Sequence, residues 1–170
     1  MYSQDSYGLG HLRRATNLAN ALVAERPDLS VLLVVDSPVA PFFDLQERID
    51  FVKLPTVVKV AAGVFRPGSL LTSYGLVKAI RSKVNREVLG RFRPDLVLVD
   101  HMPGGANRDL VPALRLIRSL NYSTRVSCRA PDRAPSSGCA RAFSANAASL
   151  RQSIRRNYRL RAWPLPLWRH

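Results

Sequence analysis

Apolar positions along this chain alternate between two rhythms. Over His11–Glu25, Leu12, Ala15, Leu18, Ala19, Leu22 and Val23 return at the 3.6-residue spacing of an amphipathic helix, which Pro27 closes. Ser30–Val35 is instead a short unbroken valine-rich run, the pattern of a strand buried on both faces, and Asp36, Ser37 and Pro38 end it. Phe51, Val52 and Leu54 ahead of Pro55 predict another short strand, and Val57–Ser69, with glycine, proline and basic residues, reads as an exposed loop. Leu70–Phe92 is the longest helical pattern, its buried face drawn by Leu70, Tyr74, Val77, Ile80, Val84, Val88 and Phe92 and its end marked by Gly90 and Pro94. Leu96–Val99 repeats the buried-strand pattern, and a last helix over Arg108–Leu120 buries Leu110, Val111, Leu114 and Ile117. Tyr2 and Ser3 read as the end of a first strand, most of it missing from the chain.

Strand and helix in strict alternation predict an α/β fold, a Rossmann-like parallel sheet with helices on both faces. Ligands of such sheets bind beyond the carboxyl ends of the strands. After Leu120 the rhythm breaks. Arg125–Cys128 fits one more strand, residues 130–149 carry no apolar period, and Ser153–Leu160 has room for a helical turn or two. The expected division is a partial domain over residues 1–120 and an irregular, low-complexity Arg/Ala/Ser/Pro tail over 121–170. Half a sheet leaves an open apolar edge, which predicts marginal folding unless a partner covers it.

The 170 residues, 46% hydrophobic, suffice for one domain with a proper core. No apolar run approaches the ~20 residues that span a bilayer, and Arg13, Arg14 and Asn17 interrupt any leader pattern, so the expected location is cytoplasmic. The net charge of +14 is unevenly spread. Ten of the 26 basic residues but only one acid, Asp132, lie beyond Leu120. Cys128 and Cys139 lie there too, without metal-ligand spacing, and no metal or other cofactor is expected.

Candidate chemistry centres on Tyr7-Gly8-Leu9-Gly10-His11-Leu12-Arg13-Arg14, a glycine turn opening the first helix. Gly8 and Gly10 would let backbone approach a ligand, and the helix start offers unpaired amides. A dinucleotide fingerprint requires glycine or alanine where Arg13 stands; only Asp36, suited to a ribose hydroxyl, favours that reading. His11 lies in the first turn of the helix. A helix amino terminus disfavours imidazolium, which leaves the ring as a proton acceptor, and a carboxylate at the next ligand-facing strand end could orient it. Asp100 is that carboxylate; its inert alternative is a cap of the following loop, as that of His11 is a hydrogen-bonded polar residue. Arg13 and Arg14 either form a solvated helix face or meet a phosphate, with one of them turned toward the cleft. Gly104 and Gly105 read as the turn that starts the last helix.

Tyr7–Arg14, the Leu18–Leu22 helix, Val31–Val34, Phe51–Pro55 and the run Arg93-Pro94-Asp95-Leu96-Val97-Leu98-Val99-Asp100-His101 together resemble the amino-terminal domain of a bacterial GT-B glycosyltransferase, in the group of predicted glycosyltransferases related to family 28. The resemblance covers residues 1–120. It implies two Rossmann-like domains facing across a cleft, this one holding a sugar or lipid-linked acceptor and the other, absent here, the nucleotide-sugar donor. It implies His11 as general base on the attacking hydroxyl, Asp100 as its partner, and Gly8, Gly10, Arg13, Arg14 and His101 at the acceptor or its phosphate. Without a donor domain the fragment is expected to be inactive. The tail departs from the family; its arginine-rich, lysine-free bias predicts a frameshift near codons 119–126. Two alternatives carry different expectations. A binding protein for nucleic acid or an anionic membrane surface, peripheral at the inner membrane face, would work through the tail and lose affinity steeply with salt. A nucleotide-binding oxidoreductase would use the glycine turn.

Overall fold

The computed structural model describes residues 1–4, 9–100, 102–120 and 124–128. Five strands form one parallel sheet: β1 (Tyr2–Ser3), β2 (Val31–Val35), β3 (Ile49–Lys53), and, beyond a separate hairpin of β4 (Val57–Ala61) and β5 (Val64–Pro67), β6 (Leu96–Val99) and β7 (Arg125–Cys128). Their order is β3-β2-β1-β6-β7. The sheet therefore grows outward from β1 to one side, then crosses back to begin again on the other. Tyr2 sits at that reversal, in register with Val34 of β2 and Val99 of β6. Short as it is, the first strand is the centre of the sheet.

Residue alternation divides the core. Leu33 and Val35 of β2 turn to α1 (Gly10–Glu25), where Leu12, Ala15, Ala19 and Val23 are buried. Val34 turns the other way, with Tyr2, Val97 and Val99, toward Leu89 of α2 (Tyr74–Phe92) and Ala113 and Ile117 of α3 (Val111–Ser119). Completely covering Leu12 or Val23 contributes about 1.5–3 kcal/mol each. The expected α/β architecture is thus present, with β7 as the further strand that alternation demanded.

Five readings need correction. Val57–Ser69 is not an exposed loop: β4 and β5 pair antiparallel, Val57 and Val58 are buried, and Phe65 stacks on Tyr74 with ring centroids 6.0 Å apart. A bulge between Lys59 and Ala61 broke the alternation, while Gly63 at φ +74° supplies the turn. The long helix does not begin at Leu70. Ser73 accepts the Leu76 N–H at 3.2 Å as its N-cap, leaving Leu70 and Leu71 in solvent. Its buried face is also rotated. Val77, Arg81, Asn85 and Leu89 point inward at strict four-residue spacing, and Ile80 and Phe92 are exposed. The last helix starts at Val111, after a tight turn over Ala106–Arg108 with Asn107 and Arg108 in left-handed backbone. In α1, Leu18 faces solvent.

Arg48 closes the far end of α1. In left-handed backbone (φ 72°), it donates from its guanidinium to the carbonyls of Val23, Arg26, Pro27 and Leu29 at 2.6–3.3 Å. These include orphan acceptors that every helix carboxyl end leaves behind. The readings made for Tyr7, for 130–149 and for Ser153–Leu160 lie outside the described residues.

Candidate active site at the strand ends

Two strand ends flank the reversal of the sheet, those of β1 and β6. The chain leaving β1 enters α1, whose second residue is His11; the chain leaving β6 is Asp100 itself. The fold brings them together although 89 residues separate them. His11 Nδ1 lies 2.7 Å from Asp100 Oδ2, a short charge-assisted hydrogen bond. An ionised carboxylate can only accept, so Nδ1 carries the hydrogen of this bond; in the neutral ring that leaves the lone pair on Nε2.

Asp100 is held by more than its side chain. Its N–H donates to the Tyr2 carbonyl at 3.0 Å, and its own carbonyl accepts the Met102 N–H at 2.8 Å. Its other carboxylate oxygen receives Arg14 NH1 at 3.4 Å. His11 and Arg14 stand one helical turn apart on the same side of α1, the spacing at which two side chains can share one target. The group is half open: 35% of the His11 side chain and 40% of Arg14 reach solvent, against 13% of Asp100.

Of the other candidate residues, Arg13 is exposed. Gly10 is not in left-handed backbone, and a Cβ there would meet nothing within 4 Å. Among the described residues a side chain at Gly10 would thus face open space, and the sharp turn expected of Gly10 is not needed at that residue. Gly8 and His101 lie outside the described residues. Among the described residues, no three His, Cys, Asp or Glu side chains converge as metal ligands, and no helix is long and apolar enough to cross a membrane.

Asp36, the candidate for a ribose hydroxyl, is fully buried against Arg81 at 3.2 Å, out of reach of a ligand. It belongs to a polar cluster that the sequence reading missed. Arg81 on α2 donates through Nε to Asp109 Oδ2 at 2.6 Å, through NH1 to Asp36 and to the Pro55 carbonyl at 2.6 Å, and through NH2 to the Tyr2 hydroxyl at 3.1 Å. Burial pushes the Asp109 carboxyl above the ordinary carboxylate value against the pull of Arg81, and Asp36 on the same guanidinium adds to the push. Burial likewise drives the Tyr2 phenol upward. The available signal was the position of Arg81 midway between Val77 and Asn85, in line with Leu89. A cation inside an apolar stripe of a helix calls for buried acids elsewhere.

No family model matches the sequence, and no curated protein matches it. Among solved structures, the chain is similar to the crystal structure of a UGT transferase from Siraitia grosvenorii in complex with UDP, at 18% identity over 74% of this chain and with a TM-score of 0.45. The chain spans 26% of that protein's length.

Proposed function

We propose that this chain is the acceptor-side half of a glycosyltransferase, with His11 the general base and Asp100 its orienting partner. The observation carrying this reading is the 2.7 Å contact of Nδ1 with Oδ2 at the switch point of a parallel sheet. Asp100 fixes the tautomer in which Nε2 accepts a proton. As an acceptor hydroxyl oxygen bonds to the anomeric carbon of an activated sugar, its proton passes to Nε2, and the bond from that carbon to the departing phosphate breaks. Oriented bases of this kind contribute typically 10²–10⁴-fold. Arg14 assists by occupying the second oxygen of Asp100. Gly8, Gly10, Arg13 and His101 are assigned to the acceptor side, where Gly10 faces open space among the described residues. The activated sugar comes from a nucleotide-sugar bound by a further domain.

Saccharide and lipid-linked saccharide acceptors titrated into the full chain test this reading. Resonances of His11 and of Asp100 are expected to move in a saturable way, and His11→Gln to weaken the response. Perturbations confined to the opposite pole of the sheet, near Ser30 and Asp50, would sink it.

A further inference from the structure

Tyr2 makes two kinds of contact with the segment that follows β6. Its carbonyl accepts the Asp100 N–H at 3.0 Å. Its hydroxyl, at the other end of the side chain, accepts the Ala106 N–H at 3.2 Å. The same hydroxyl donates to Asp109 Oδ1 at 3.0 Å and accepts from Arg81 NH2 at 3.1 Å. One donated and two accepted bonds exhaust what a phenolic hydroxyl can make. Tyr2 is 2% exposed, so none of these bonds has a ready substitute in water.

The segment is drawn in tightly. Gly105 has φ +74°, and a Cβ there would fall 2.9 Å from the Tyr2 hydroxyl and run into Asp109 Oδ1. Asn107 and Arg108 follow with φ of 46° and 67°, two consecutive side-chain-bearing residues in the left-handed region. Backbone of that kind persists only where the surroundings over-determine it. Here the surroundings are the Tyr2 hydroxyl on Ala106 and the Arg81–Asp109 pair.

We infer that Tyr2 is a positioning residue for the Asp100 carboxylate: with its carbonyl and its hydroxyl it fastens Asp100 and Ala106 to one central residue, and so sets where Asp100 meets His11. Among the described residues its hydroxyl bonds to Asp109, Arg81 and Ala106, not to the His11 ring or the Asp100 carboxylate, and it does no chemistry itself. This inference rests on the proposed His11–Asp100 pair, but its test uses neither acceptor nor donor, so its failure is separable from failure of that reading.

Two measurements on the full chain decide it. In the unaltered protein, hydrogen exchange of the Asp100 and Ala106 amides is expected to proceed through one shared opening, with equal protection; protection differing by more than about tenfold, one hydrogen bond's worth, overturns the inference. In Tyr2→Phe, which keeps the ring and the main-chain bond, the Ala106 and Asp100 amides should exchange about tenfold faster. The Nδ1–H resonance of His11 should weaken in the same variant. A purely structural tyrosine would lower stability and leave that resonance in place, and a folded Tyr2→Phe with the resonance unchanged refutes the proposal. If that variant does not fold, the exchange comparison in the unaltered chain stands alone as the test.

Discussion

Asp36 and Asp100 each follow directly on the last residue of a parallel strand, Val35 of β2 and Val99 of β6. From the chain alone they are the same motif, yet the fold gives them opposite surroundings. Asp36 has no exposed surface and shares the buried Arg81 with Asp109. Asp100 keeps 13% of its surface and meets a histidine and an arginine that are themselves over one-third exposed. Similar partners at similar distances make a closed structural joint in one case and a solvent-facing carboxylate–histidine contact in the other. The partner's access to water decides the role, and no strand-end aspartate reveals that by itself.

Breaking the closed joint should cost most. Arg81→Met leaves two buried carboxylates without their cation and should lower unfolding stability by about 3–5 kcal/mol in urea melts, more than any change at the open group. Gly105→Ala should follow, with a loss of roughly 1–3 kcal/mol, because the alanine must hold a left-handed backbone and displace the Asp109 oxygen. Acidity gives a subtler reading. The raised Asp109 carboxyl keeps its proton in the folded chain at a pH where the unfolded chain has released it. Its contribution is therefore fully present below the usual carboxylate value of 3.8 and is lost as pH rises through the folded value. Urea midpoints measured upward from about pH 4 should show that decline, and Asp109→Asn should flatten it. Asp100→Asn should matter least to stability, within about 1 kcal/mol, since its partners remain solvated. It should nonetheless abolish the oriented Nδ1–H resonance of His11. A stability loss at Asp100 rivalling that at Arg81 would erase the distinction between the two groups.

The parts visible in the sequence were those with a single dominant period. Val31–Val35, buried on both faces, and Leu96–Val99, buried on one face and half-buried on the other, both read as unbroken apolar runs, so their place in the sheet could be anticipated. The α1 stripe was legible for the same reason, and with it the place of His11 in that helix's first turn. Where two signals mix, reading failed. The buried side of α2 contains Arg81 and Asn85, which an apolar count passes over, so the face was drawn through Ile80 and Val84 instead. The hairpin carried its valines around a bulge, and the bulge hid the alternation. Tyr2 is legible only as the end of a strand: the importance of its hydroxyl comes from neighbours at Arg81, Ala106 and Asp109, none of them near it in sequence.

The strand order has a kinetic consequence. Because β1 lies between β2 and β6, the first strand laid down must wait for one roughly a hundred residues later before its second edge is covered. Closing a loop of that length costs about 4 kcal/mol in chain entropy before the pairing returns anything. Contacts so distant along the chain are slow to form. The imidazole and its carboxylate, 89 residues apart, can meet only after that closure. A signal from their hydrogen bond during refolding would therefore time the completion of the sheet, arriving after the α1–β2 unit has already assembled.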